Sequence, residues 1–199
     1  MSTILIYGDS NTWGQDAYLQ RYPEAVRWVA QLGQKLGPNY RVVPAGLSGR
    51  VAGNSSAIVP IKRGKDSFEL VYRQTFPVDV VIIALGTNDI KEKYNISATT
   101  IVDDLLWYKQ KVEHLTDYTG KPLRPKVLYI APPNCICGTV HFAGDEAKRR
   151  AIITGLQANN VDMVTAEDID LSEDGVHFSP KGHIRMAEIV YDKLKEMKL

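Results

Sequence analysis

Cysteine is nearly absent: the chain has two, Cys135 and Cys137, separated by one residue. A disulfide across that spacing would be strained and would close almost no loop, so both are expected as reduced thiols. No second Cys or His pair stands at a matching spacing, which makes the pair a poor zinc site; neither a metal nor a cofactor is expected. A charge excess of either sign is missing too, since 24 Lys and Arg stand against 23 Asp and Glu. Such a balance creates no broad field to draw in nucleic acid or an anionic membrane, and neither is expected as a partner. Long hydrophobic runs are also lacking. The longest, residues 78–85, is interrupted by Asp79 and falls far short of the roughly 20 apolar residues of a membrane helix. Met1 is followed almost at once by Thr3-Ile4-Leu5-Ile6-Tyr7, with no basic start and no small-residue cleavage site, which predicts a cytoplasmic protein. There are no repeats, low-complexity tracts or linkers. A chain of 199 residues, 44% apolar, is therefore expected to form one domain over residues 1–199.

What is present is alternation. Short β-branched runs at residues 3–7, 40–44, 78–85, 126–131 and 161–164 read as strands covered on both faces. Between them lie amphipathic stretches. Residues 23–36 carry Val26, Val29, Leu32 and Leu36 at helical spacing; residues 98–115 carry Ile101, Leu105, Tyr108, Val112 and Leu115. Residues 144–159 read as a helix with Ala147, Ala151 and Leu156 inward, and Ser179-Pro180 supplies a cap and a first-turn proline before a helix over 184–197. Residues 66–76 suggest a short helix, while 88–97 show no period. This order predicts an α/β fold, a three-layer α/β/α sandwich around a flavodoxin-like five-stranded parallel sheet. Ligands in such folds collect at the carboxyl ends of the strands. Standing there are Gly8-Asp9-Ser10, Gly46-Leu47-Ser48-Gly49, Gly86-Thr87-Asn88-Asp89 and Asp174-Gly175-Val176-His177.

A serine becomes a nucleophile when a neutral imidazole takes its proton and a carboxylate holds that imidazole in the right tautomer. Ser10, His177 and Asp174 supply the three groups, and the chain after the fifth run is long enough to return to the first. An oxyanion would need donors, and the N–H of Ser10, the N–H of Gly49 and the side-chain amide of Asn88 offer them from three loops.

On these residues the chain resembles the GDSL, or SGNH, hydrolases. Gly8-Asp9-Ser10 matches the first block of that family, Gly49 stands where the second-block glycine is expected, and Gly86-Thr87-Asn88-Asp89 and Asp174-x-x-His177 match the third and last. The resemblance implies a flavodoxin-like fold and serine-dependent ester hydrolysis, with Ser10, Gly49 and Asn88 in an oxyanion hole and an Asp-His pair as base. Two positions depart from the pattern: Asn11 replaces the Leu of the family name, at a place that touches no catalytic group, and the second block lacks its usual initial Asn. The runs 9–14 and 174–178 are similar to the bacterial arylesterase and acyltransferase branch, which implies a homo-oligomer.

Other residues read more plainly. Asp9 and Asp89 are expected to fix loops, His114 and His141 to lie at the surface, His183 to tie the last helix to its loop, and Lys148-Arg149-Arg150 to form a solvated face. Trp13, Tyr94 and Phe178 are expected to wall an acyl or aryl pocket. The expected activity is hydrolysis of small, short-chain carboxylic esters through an acyl-enzyme. Acyl transfer from the same intermediate is one alternative, and a non-catalytic anion- or nucleotide-binding protein of the same fold is another.

Overall fold

In a computed structural model of the protein, residues 1–135 and 142–199 are described; Cys137 and His141 lie outside them. Strands β1 (Ser2–Gly8), β2 (Tyr40–Gly46), β3 (Val80–Ala84), β4 (Lys126–Ile130) and β5 (Met163–Val164) form one parallel sheet in the order β2-β1-β3-β4-β5. The helices are α1 (Ser10–Trp13), α2 (Trp28–Leu36), α3 (Gly64–Thr75), α4 (Ala98–Glu113), α5 (Glu146–Ala158) and α6 (Pro180–Glu196).

Successive side chains of a strand point to opposite faces, and the three central strands use both. Ile4, Ile6, Val80, Ile82, Leu128 and Ile130 pack with Trp28, Val29 and Leu32 of α2 and Met186, Val190 and Leu194 of α6. Leu5, Tyr7, Val81, Ile83, Val127 and Tyr129 face Phe68 and Tyr72 of α3, Leu105 and Tyr108 of α4, and Ile152 and Leu156 of α5. The expected three-layer sandwich is the observed one. Burial on both sides explains why these runs are apolar throughout instead of alternating.

Several boundaries and faces differ from expectation. The run 78–85 forms a strand only over Val80–Ala84; just before it, Asp79 bonds through its backbone to Thr3 and Lys126 and accepts the Thr3 N–H with its carboxylate at 2.8 Å. The last strand is only Met163–Val164. Strand β2 is half-buried; as an edge strand it tolerates Pro44, which has no N–H to give. The stretch 23–36 is broken into a 3-10 turn, Glu24–Val26, and α2, with Trp28 in the core and Val26 and Leu36 only half-buried. Helix α5 is rotated from the expected face: Ala147 and Ala151 are exposed while Ile152 and Ile153 are buried, since larger apolar groups gain more from leaving water. Arg149 is not on a solvated face. It is 3% exposed, bonded to Glu146, Glu167 and the Pro132 carbonyl. The weak signal at 66–76 is a full helix, α3. Among the described residues, no helix is long and apolar enough to cross a membrane.

Candidate active site

The site is assembled where the strands end. After β1, Asp9 caps α1 by accepting the Asn11 N–H at 3.0 Å, so Ser10 becomes the first residue of a helix. N–H groups of a first turn have no partner within the helix. At the end of β2, Gly46 lies so close to α1 that a Cβ would stand 2.2 Å from the Trp13 nitrogen, and this contact brings the second loop beside the first. That loop reaches Gly49 at φ 78°, a left-handed conformation that glycine adopts without strain.

The segment after β5 returns across the sheet to Ser10. Its turn is set by Asp174, whose Oδ1 accepts the N–H groups of Val176 and His177 at 3.1 and 3.0 Å. The other carboxylate oxygen meets His177 Nδ1 at 2.5 Å, and His177 Nε2 lies 3.0 Å from Ser10 Oγ. Asp174 and His177, three residues apart, thus form one hydrogen-bonded line with the distant Ser10, and each of the three is under 10% exposed. Burial alone would raise the Asp174 pKa, yet the bonds from the His177 backbone and ring and from the Val176 N–H hold it below the ordinary value.

Asn11 joins the two loops more closely than the sequence suggested. Its Nδ2 donates to the Val176 carbonyl at 3.2 Å and its Oδ1 accepts the Phe178 N–H at 3.0 Å, so the residues on both sides of His177 are clamped to α1. A lone Asn in a helical turn carries no pattern that announces such a contact.

The loop after β3 is tied to the loop after β2. Asn88 Nδ2 donates to the Arg50 carbonyl at 3.1 Å, and Asp89 accepts the Ala52 N–H with both oxygens, at 2.9 and 3.0 Å. Arg50 is buried over the Tyr7 ring, 4.0 Å from its centre, and donates to the Gly8 and Ala45 carbonyls at 2.8 and 2.5 Å. It fastens the ends of β1 and β2 together. Burial pushes the Asp9 carboxyl up to about 6 and the Asp89 carboxyl up to about 7. Both act as expected for loop-fixing acceptors.

A cleft of about 360 Å³ opens over Ser10 and is lined by Gln15, Leu19, Ser48, Gly49, Lys62, Thr87, Asn88, Lys91, Phe142, Val176 and His177. Trp13, Tyr94 and Phe178 are not among them. Phe178 is 2% exposed and packs edge-on to His183 in the core beneath α6, because the clamp on its N–H turns it inward. Trp13 is half-buried under the Arg21 guanidinium, and Tyr94 packs on the core of the other face. The lining residues that the sequence did not single out are Gln15, Leu19, Lys62, Lys91 and Phe142, each distant in sequence from a motif or on its unpatterned side.

A five-stranded parallel sandwich with a serine, an imidazole and a carboxylate in line at the strand ends is an α/β fold of the SGNH type, distinct from the α/β-hydrolase fold. The chain belongs to the GDSL-like lipase/acylhydrolase family, whose pattern matches residues 6–185, and it is a carboxylic ester hydrolase. It is similar in structure to Est24, a carbohydrate acetylesterase from Sinorhizobium meliloti, with 26% identity, TM-score 0.86 and coverage of 99% of this chain and 100% of that one. The native aryl esterase of M. smegmatis has 28% identity and TM-score 0.81, over 96% of this chain and 99% of that one. A lipase/acylhydrolase from Enterococcus faecalis, 19% identical with TM-score 0.71 over 99% and 97% of the two chains, shares the fold. A comparison with curated protein sequences returns no match.

Proposed function

We propose that the protein is a serine esterase that cleaves short-chain esters through an acyl-enzyme. The observation that carries the reading is the unbroken line from Ser10 Oγ through His177 to Asp174, at 3.0 and 2.5 Å. Ser10 Oγ attacks the ester carbonyl as its proton passes to His177 Nε2, and Asp174 steadies the imidazolium. The oxyanion is met by the N–H groups of Ser10 and Gly49 and the amide of Asn88. Collapse expels the alcohol, which takes the proton from Nε2. Water then attacks the acyl-enzyme by the same route and releases the acid.

Hydrolysis is favoured over acyl transfer because Gln15, Ser48, Lys62 and Lys91 give the cleft a wet lining that does not exclude water. Short acyl groups are favoured because Leu19 and Phe142 are the only large apolar side chains among the described residues lining it. An acetylated carbohydrate or an aryl acetate fits this reading. The test joins a fluorophosphonate label with a series of 4-nitrophenyl esters. Ser10 should carry the label, and kcat/KM should peak at about two to four acyl carbons and fall about tenfold or more by eight. Labelling elsewhere, or a preference for octanoyl esters, overturns the assignment.

A further inference from the structure

The cleft over Ser10 has a charge pattern that hydrolysis of a neutral ester does not require. Two lysines line it, Lys62 and Lys91, and among the described residues the lining holds neither Asp nor Glu. Residues 136–141 also contain neither Asp nor Glu. The two ammonium groups flank the proposed oxyanion donors. Lys62 Nζ lies 2.9 Å from where a Cβ on Gly49 would stand, and Lys91 Nζ donates to Asn88 Oδ1 at 2.7 Å. Among the described residues neither forms an ion pair with a carboxylate. Asp9 and Asp89 attract Lys91 from below, but both are buried, both accept backbone N–H bonds, and the buried Arg50 opposes Asp9. Lys91 also lies over the Phe142 ring, 5.6 Å from its centre, and is half-buried. Holding two like charges on one small cleft with no carboxylate in its lining is unfavourable until an anion enters between them.

Building on the esterase reading, we propose that Lys62 and Lys91 form a subsite for a carboxylate carried by the substrate, so that the preferred ester bears a negative charge within reach of the oxyanion hole. The carboxylate could belong to the acyl half, as in a dicarboxylic monoester, or to the alcohol half, as in an acylated hydroxy acid. The chemistry of recognition is the same in both, an ammonium pair closing on one carboxylate.

The experiment measures kcat/KM for two matched pairs on the full-length protein. One pair is 4-nitrophenyl hydrogen succinate against its neutral methyl succinate counterpart; the other is 4-acetoxybenzoate against its methyl ester. In one pair the anionic member should be preferred by about tenfold at low salt, and the preference should shrink as sodium chloride is raised. The pair that shows it tells which half carries the charge. The ratio should fall to about one in Lys62→Met and below one in Lys62→Glu; any general loss of rate in a variant divides out of the ratio. Equal rates on both members of both pairs, or a ratio unmoved by Lys62→Glu, overturn the subsite while leaving the esterase reading intact. If no ester is turned over, the esterase reading itself falls, and the subsite with it.

Discussion

Two buried imidazoles, His177 and His183, stand six residues apart and live in opposite environments. His177 is bonded on both nitrogens, to the Asp174 carboxylate and to Ser10 Oγ, and borders an open cleft. His183 is fully buried at the start of α6. Its Nδ1 accepts the Trp28 N–H at 3.2 Å, its Nε2 has no hydrogen-bond partner among the described residues, and the rings of Tyr22 and Phe178 close around it. Burial, with Arg27 and the ring of His177 nearby, lowers its pKa to about 4. A carboxylate beside an imidazole makes a proton acceptor that can hold its charge; a hydrocarbon wall makes a packing residue. The same side chain is equipped as a proton acceptor in one place and as a packing residue in the other because of what surrounds it.

The widest gap between the two should appear in turnover. Ser10→Ala or His177→Ala should each lower kcat on an aryl acetate by about 10³ or more with an unchanged melting temperature, and the double variant should lose little further, because the groups act as one unit. Full additivity of the two losses, measured by steady-state kinetics, would break the unit apart. Next in size, Asn88→Ala should lower kcat by about 10² to 10³ with a smaller change in KM, since an oxyanion bond strengthens in the transition state. An effect confined to KM would place Asn88 in ground-state binding instead.

His183 should be visible in stability instead. Above pH 6.5 it is neutral in both the folded and the unfolded chain. Between 6.5 and about 4 the unfolded chain binds a proton that the folded one refuses, so the contribution of His183 falls as the pH falls, by about 3 kcal/mol in all. The folded carboxyls of Asp9 and Asp89, raised to about 6 and 7, work in the opposite sense: they keep protons that the unfolded chain releases, so their contribution falls as the pH rises. The clean measurement is therefore a difference. Urea unfolding of wild type and His183→Asn, compared at pH 7 and pH 4.5, should show the wild type losing more on acidification. Equal losses would mean that His183 titrates normally.

The smallest effect tests the bridge between the regions. Trp28 donates its backbone N–H to His183 and its indole N–H to the Asn11 carbonyl at 3.1 Å, while the Asn11 side chain clamps both neighbours of His177. Asn11→Leu removes only the clamp. It should lower kcat by about tenfold, equivalent to about 1.4 kcal/mol, and cost about 1 to 3 kcal/mol of stability through the unpaired Phe178 N–H and Val176 carbonyl. Unchanged kinetics would show that the Asp174 turn holds His177 without help.

The sequence by itself carried the local information. Apolar runs and helical periods gave the five strands and the sandwich, and four short polar motifs at the run ends marked Ser10, Gly49, Asn88, Asp174 and His177, because strand ends and glycine turns are short-range features. Element faces with weak apolar contrast, such as that of α5, were less legible: two alanines mark a face poorly, and a buried Arg149 looks like a solvated one until its partners are known. Its place after His177 points Phe178 into the pocket, yet the hydrogen bond that its N–H donates to Asn11, 167 positions away, turns it into the core. Only tertiary structure could decide which residues wall the cleft, that Asn11 and Arg50 bind its loops together, and that Lys62 and Lys91 both line it. Those contacts join residues with no spacing in common, so no period or motif encodes them; they exist only once the sheet has brought its loops to one end.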